Sequence, residues 1–236
     1  PPHPMLAAHG VWRPPPAIRP VAGPRSRAAN RVARRGGWEA GRDPPYNRGM
    51  DSIRPYRDIF PSLGARVYID PDASVIGDVE LGDDVSVWPQ TVIRGDVNFV
   101  RIGARSNIQD GTVVHVSHDG PHAKLGGFAT VIGEDVTIGH KAIIHACRIE
   151  DAVLVGMGAI VLDGAVVKKH AFIGAGALVP PGRTVGEGEL WVGNPARRMR
   201  VLSDAEIEGL HYSAQHYVRL KDEYLAIGEA GTGNRE

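Results

Sequence analysis

Aliphatic side chains recur at every sixth position through most of this sequence. The repeat begins at Ile69, is interrupted twice, and after a one-residue slip at Ile149 continues to Val185. Its members are Ile69, Val75, Leu81, Val87 and Ile93; Ile102, Ile108 and Val114; Ile132, Ile138 and Ile144; and Ile149, Val155, Val161, Val167, Ile173, Val179 and Val185. A β-sandwich would instead show a period of two with turns every 8–12 residues or so. The period of six therefore excludes an ordinary sandwich.

Each six-residue unit predicts one short strand followed by a corner. The aliphatic anchor points into the core, and a small or β-branched residue follows four positions later. Glycine comes directly after several anchors, as at Gly82 and Gly103, where we expect it to supply unusual backbone dihedrals. Three units close a triangular coil, and coils stack about 4.8 Å apart. The predicted fold is all-β, a parallel β-helix over residues 50–202.

Two interruptions and a final change of pattern complete the predicted architecture. Residues 94–101 and 117–130 do not follow the repeat, and the second stretch predicts a loop that leaves the β-helix. A capping box begins at Ser203, and apolar residues follow it at helical spacing. We expect one helix over 203–227 packed along a face of the β-helix, and a disordered tail over 228–236.

Charge and proline divide the chain into two unlike parts. The whole chain has 27 basic and 27 acidic residues, but residues 1–49 hold nine arginines and two acids, a net charge of +7. Residues 50–236 therefore carry −7. The first part also contains ten of the 18 prolines and no sustained apolar period, so we expect it to be a disordered extension.

Composition also excludes several classes of function. A net charge of zero argues against a whole-chain nucleic-acid binder, and no apolar run reaches the roughly 18 residues of a membrane span. Cys147 is the only cysteine, so no internal disulfide can form and a reducing compartment is indicated. We expect a cytoplasmic protein without nucleic-acid or membrane partners.

Three of the ten histidines occupy positions that predict a shared metal ion. His115 and His145 each follow an anchor, so they stack on adjacent coils if the loop over 117–130 is extruded. His140 lies two places after its anchor and projects from a neighbouring face, so the three converge only if a second chain supplies one. Three imidazoles suit Zn²⁺, with Fe²⁺ or Co²⁺ as alternatives. The alternative interpretation is that these histidines bind no metal and are solvated surface residues.

Five short motifs follow one another along the repeat. They are Arg94-Gly95-Asp96, Asn107-Ile108-Gln109-Asp110-Gly111, Thr137-Ile138-Gly139-His140, His145-Ala146-Cys147 and Gly193-Asn194-Pro195-Ala196. Their order and spacing resemble the gamma-class carbonic anhydrase family, and most closely its short bacterial members. The resemblance covers residues from about 53 to 228. It implies a single-stranded left-handed β-helix of hexapeptide repeats that forms a homotrimer with three interface metals.

The resemblance also implies an activity and its metal ligands. His115, His140 and His145 would bind the metal, and Tyr212 would reach the site from the helix. The implied reaction is the reversible hydration of CO₂ to bicarbonate by a metal-bound hydroxide. It is chemically coherent because a bound cation lowers the pKa of water towards about 7.

Polar residues around the metal acquire roles by the same resemblance. Arg94 and Asp110 would pair across the subunit interface, and Asp96 would join that network. Gln109 would orient the metal-bound water, with Asn107 beside it. The alternative for Arg94 and Asp110 is a purely structural ion pair.

The chain departs from the active members of the family at two places. They carry a glutamate directly after the Arg-Gly-Asp motif, where this chain has Val97, and a second glutamate in an acidic loop, where residues 117–130 hold only Asp119. Proton-transfer glutamates are therefore absent. Three alternatives stay open: an acyl-CoA thioesterase, a hexapeptide acyltransferase with a histidine base, and a non-catalytic metal-binding protein.

Overall fold

The computed structural model describes residues 52–121 and 126–232 of the chain. These residues wind as a left-handed parallel β-helix, and a single helix follows it. The predicted disordered extension over 1–49 and the last four residues of the predicted tail lie outside the described residues.

Short parallel strands form three faces of a triangular prism. The helix-covered face comprises β3 (Tyr68–Ile69), β5 (Ser86–Val87), β7 (Asn107–Ile108), β10 (Thr137–Ile138), β13 (Leu154–Val155), β16 (Phe172–Ile173), β19 (Glu189–Val192) and the antiparallel β20 (Arg197–Val201). The histidine face comprises β1 (Ile53–Arg54), β8 (Val113–His115), β11 (Ile143–His145), β14 (Ile160–Val161) and β17 (Leu178–Val179). The third face comprises β2 (Ser62–Leu63), β9 (Thr130–Ile132), β12 (Arg148–Ile149), β15 (Val166–Val167) and β18 (Thr184–Val185). Two longer strands, β4 (Ser74–Leu81) and β6 (Val92–Ile102), turn a corner and belong to both of the last two faces.

The anchors of the repeat form the core, as the period predicts. Every anchor from Val75 to Val185 is at most 3% exposed. Ile69 is the exception and is only partly buried, because β3 is at the end of its sheet and pairs with β5 alone. The six-residue period is thus confirmed as the spacing of inward-facing side chains.

The glycines that follow anchors have a different role from the predicted one. Their φ angles are not positive; instead, a Cβ on Gly82 would lie 2.7 Å from the backbone nitrogen of Ala104, and one on Gly103 would lie 2.6 Å from the carbonyl carbon of Gly133. The expectation of unusual dihedrals here was wrong, since glycine is required because successive coils approach too closely for a side chain. Positive φ occurs later in the corner, for example at Asp135 (55°).

The two interruptions of the repeat have different structures. Residues 94–101 lie within β6, an 11-residue strand whose register with β4 shifts as both strands turn the corner. The second interruption leaves the β-helix as predicted, because Ser117 and Phe128 form an antiparallel bridge at its base.

Helix α1 spans Asp204–Thr232 and starts at the predicted capping box. The Ser203 backbone N–H donates to the Glu206 carboxylate at 2.9 Å, and Arg200 donates to the same carboxylate at 2.7 Å. Arg200 and then Ser203 thereby lower the pKa of Glu206 to about 2. The helix continues past Gly228, where we expected the tail to begin, because one glycine inside a helix costs only about 1 kcal/mol.

One side of α1 packs on the helix-covered face, against β3, β5, β7 and β10. Ala214 is fully buried, and the rings of Tyr217 and Tyr224 lie 5.5 and 5.2 Å from that of Trp88. Lys221 is also fully buried, and its Nζ lies 2.9 Å from Asp84. Among the described residues, no helix is both long and apolar enough to cross a membrane.

Candidate functional site

His115 and His145 lie one above the other at the ends of β8 and β11. Their backbones pair in register, and Nδ1 of His115 is 3.2 Å from Nε2 of His145. Two nitrogen ligands of a tetrahedral zinc ion, each bound at about 2.05 Å, lie about 3.3 Å apart. The observed separation therefore fits two ligands of one metal.

Carboxylates hold the outer nitrogens of these two rings. Asp96 Oδ1 lies 3.1 Å from Nε2 of His115, and Asp163 Oδ1 lies 2.6 Å from Nδ1 of His145. If each ring donates its hydrogen to its carboxylate, the two nitrogens that face each other both carry a lone pair and no hydrogen. Two facing lone pairs repel unless a cation lies between them, and carboxylates behind the rings are typical of metal-bound histidines.

Asp163 is a site residue that sequence reasoning missed. It follows His145 by 18 residues, about one coil of the β-helix, and the stacking of coils brings the two side chains together. The 18-residue offset is the signal that could have identified it. The one-residue slip of the repeat between Ile144 and Ile149 obscures it, because the coil from Ile144 to its partner Val161 has only 17 residues.

Burial favours the neutral form of His115. It lowers the pKa of the ring from its ordinary value, although Asp96 opposes the shift. Asp96 is itself mostly buried, but its contacts with Arg94 and His115 outweigh that burial and lower its pKa. The neutral imidazole is the form that binds metals.

His140 lies at the opposite edge of the histidine face. It lies in the turn between β10 and β11, whereas His145 ends β11, so the length of that strand separates the two rings. Nδ1 of His140 is 2.8 Å from Asp110, so this ring too has a carboxylate partner on one nitrogen. Within one chain, the described residues contain no group of three or more His, Cys, Asp or Glu side chains arranged to hold a metal.

The predicted polar residues divide between the same two edges. Arg94 contacts Asp96 beside His115, whereas Asp110 pairs with His140, so a single chain does not bring Arg94 and Asp110 together. Gln109 and Asn107 are buried next to Asp110 and are joined by a 3.0 Å hydrogen bond from Gln109 Nε2 to Asn107 Oδ1. One edge thus carries His115 and its partners, and the other carries His140 and the amides.

Tyr212 is not among the residues that a single chain gathers. It is 66% exposed, and its ring contacts His216 and Arg219 on the same helix. The tyrosine of α1 nearer to the site is Tyr217. Burial raises its pKa, and the charge of Asp110 raises it further.

The chain is similar in sequence to several known proteins. A family described as "Bacterial transferase hexapeptide (six repeats)" matches residues 60–95. Protein YrdA of Escherichia coli is 55% identical over 75% of this chain and 96% of its own length. A probable carbonic anhydrase of Methanocaldococcus jannaschii is 44% identical over 68% of this chain and 96% of its own length. Gamma carbonic anhydrase 2 of Arabidopsis thaliana is 47% identical over 69% of this chain and 58% of its own length.

Solved structures share the fold. A hexapeptide transferase family protein from Anaplasma phagocytophilum is 42% identical, with a TM-score of 0.67 over 73% of this chain and 98% of that one. A Bacillus cereus protein described as a putative acetyltransferase is 36% identical, with a TM-score of 0.68 over 75% of this chain and 98% of that one. With the repeat, the ordered motifs and the three histidines, these similarities establish that the chain belongs to the gamma-class carbonic anhydrase family.

Proposed function

We propose that this protein is a zinc-dependent carbonic anhydrase that hydrates CO₂ to bicarbonate, and back, at metal sites between the subunits of a homotrimer. The observation that carries the proposal is the pair of facing nitrogens on His115 and His145, 3.2 Å apart, with a carboxylate behind each ring. Fe²⁺ and Co²⁺ fit the same donors.

The third ligand in this proposal is His140 of the partner subunit. The histidine face has His140 at one edge and His145 at the other, and between them Val113 and Ile143 are each 39% exposed. Packing this apolar row against a neighbouring subunit would join the His140 edge of one chain to the His145 edge of the next. Such a head-to-tail contact generates a closed ring when the rotation closes, and three triangular prisms suit threefold closure.

A bound zinc ion would supply water with a pKa near 7, and so a nucleophile for CO₂ at neutral pH. The chain's own residues orient the reactants. Gln109 accepts a hydrogen bond from a water molecule in the site, and Asn107 holds the amide in place. Asp96 and Asp163 fix the rings of their histidines. Arg94 pairs with Asp110 of the partner subunit, which joins the two edges.

Proton release is the step for which this chain is least equipped. Val97, 46% exposed, occupies the position next to Asp96 where a carboxylate would carry protons. We expect buffer molecules to take over this role, so that kcat increases with buffer concentration. General acid–base groups contribute roughly 10²–10⁴-fold to rates, so a Val97→Glu variant should raise kcat at low buffer concentration by about tenfold or more.

A stopped-flow assay of CO₂ hydration tests the proposal, using protein purified without oxygen, loaded with zinc and checked for trimer formation. We expect a rate above the buffer background that His145→Asn abolishes. No rate from an intact, metal-loaded trimer would exclude the activity.

The second candidate is a hexapeptide acyltransferase, which the likeness to the putative acetyltransferase from Bacillus cereus supports. A histidine would then act as a general base without a metal. Acetyl transfer from acetyl-CoA that survives complete removal of metal, with fewer than about one metal per three chains in the purified protein, would favour this activity over the first.

A further inference from the structure

We propose that helix α1 fixes the orientation of the Gln109 amide through a buried relay of hydrogen bonds, with Thr137 and Ser213 as positioning residues. The relay runs from Gln109 Nε2 to Asn107 Oδ1 (3.0 Å), from Asn107 Nδ2 to Thr137 Oγ1 (3.1 Å), and from Thr137 Oγ1 to Ser213 Oγ (3.1 Å). The inference rests on the proposed function, in which Gln109 orients a water molecule.

A backbone carbonyl sets the direction of the whole relay. Asn107 Nδ2 lies 3.4 Å from the carbonyl oxygen of Val136, which can only accept a hydrogen bond. The Asn107 atom there is therefore the amide nitrogen, so its oxygen faces Gln109. Gln109 must then donate through Nε2, and its Oε1 is the amide atom turned away from Asn107. Gln109 thus presents an acceptor, suited to the O–H of a water molecule.

The hydroxyl groups continue the same polarity. Thr137 Oγ1 accepts a hydrogen bond from Asn107, so its own hydrogen can be donated to Ser213. Asn107 is fully buried, and Gln109 and Thr137 are 5% and 4% exposed. Away from water, reversing either amide would set two donors or two acceptors against each other. One amide orientation is therefore strongly favoured.

The far end of the relay is fixed by the packing of α1. Ser213 precedes the fully buried Ala214. Two turns further along the helix, the buried Lys221 pairs with Asp84 on the β-helix. The position of Ser213 relative to Thr137 therefore depends on how the whole helix docks. A displacement of α1 would therefore change the orientation of the Gln109 amide through the three hydrogen bonds of the relay.

The first test is a pair of substitutions at one position. Thr137→Val keeps the shape but removes the hydroxyl, whereas Thr137→Ser keeps the hydroxyl. We expect Thr137→Val to lower kcat about tenfold with KM unchanged, and Thr137→Ser to stay within about twofold of the wild type. In a Gln109→Ala background, Thr137→Val should have no further effect on kcat. An equal loss of kcat in that background would overturn the relay.

A second readout does not depend on activity. In the full-length protein, NMR measures hydrogen exchange of the Asn107 side-chain amide, which should become at least about tenfold faster in Thr137→Val and remain slow in Thr137→Ser. Ser213→Ala, a milder change at the helix end, should speed this exchange by a smaller factor and keeps the test available if Thr137→Val does not fold. Unchanged exchange in the folded variants would refute the relay. If exchange changes as expected but the wild type does not hydrate CO₂, the relay stands and the proposed activity fails.

Discussion

Two pairs of histidine rings in this molecule lie at nearly the same separation. The ring centroids of His115 and His145 are 5.2 Å apart, and those of His170 and His211 are 5.3 Å apart. In the first pair, ring nitrogens face each other at 3.2 Å, and each ring contacts a carboxylate. In the second pair, the rings meet edge to face at 73°, and the described residues provide neither ring with a hydrogen-bonded carboxylate. Ring proximity alone does not make a metal site.

The surroundings of the two pairs also differ. The first pair borders the exposed apolar row of the histidine face, which packs against a partner subunit in the proposed trimer. The second joins α1 to a corner of the β-helix within one chain, where burial and then the charge of Lys169 lower the pKa of His170. The structure therefore distinguishes the two pairs by the carboxylates that orient the first, and in the proposed site a second chain completes that pair.

The largest expected contrast is in metal content. His145→Asn removes one of three ligands, and we expect bound zinc to fall from about one ion per chain to less than about one-tenth. His170→Asn, the matched control, should retain the full amount. Elemental analysis of purified protein measures both, and equal retention by the two variants would show that the first pair is no more a ligand pair than the second.

We expect trimer formation to be required for zinc binding at the first pair, His115 and His145, and to have no effect on the second pair. Ile143→Glu places a charge in the apolar row between His140 and His145, so we expect monomers that have lost most of their zinc. Arg148→Glu, on the third face, should remain trimeric and metal-loaded. Light scattering gives the mass of each variant, and a metal-loaded Ile143→Glu monomer would show that one chain suffices.

The carboxylates behind the rings should have an intermediate effect. Asp163→Asn leaves all three histidines but weakens the hydrogen bond that orients His145, and we expect zinc to bind about 10–100-fold more weakly. Glu187→Gln, near His170, is the control and should not change affinity. Competition with a chromophoric chelator measures the zinc dissociation constants of both variants. An unchanged dissociation constant in Asp163→Asn would contradict the interpretation that Asp163 orients His145 for metal binding.

The smallest effect concerns acid stability at the second pair. Because the pKa of His170 is lower in the folded state, the unfolded chain binds a proton first as pH falls below about 6.5, and stability is lost. His170→Asn removes this loss. Between pH 7.5 and 5.5 its Tm should therefore fall by about 1–2 °C less than that of the wild type. Calorimetry in the absence of metal measures the dependence of Tm on pH for both proteins. Equal slopes of Tm against pH would contradict a lowered pKa of His170 in the folded state.

Much of this architecture follows from the sequence because the β-helix repeats a short unit. Val75 and Val185 are both buried for the same reason, and the stacking of His115 on His145 follows once the loop at Ser117 leaves the prism. The capping box at Ser203 fixes the start of α1 in the same local way. Predictions that depend on local spacing therefore succeed.

Other features depend on contacts that local patterns do not encode. Asp163 reaches His145 across a coil whose length has slipped by one residue, and the buried Lys221 pairs with Asp84 on the β-helix as well as with its neighbour Asp222. Gly103 is needed for a close approach of the next coil rather than for its own dihedral angles. Each of these requires the three-dimensional register between coils, or between the helix and the prism.

The most direct test of a metal site shared between subunits mixes two inactive chains. His140→Asn chains lack one edge of the site and His145→Asn chains lack the other, so neither should bind zinc or hydrate CO₂ alone. In trimers formed at random from equal amounts of both, about one quarter of the interfaces combine an intact His140 edge with an intact His145 edge. We predict that zinc content and CO₂ hydration return to about one quarter of the wild-type values. Mixed trimers, verified by mass spectrometry, that regain neither would contradict the account.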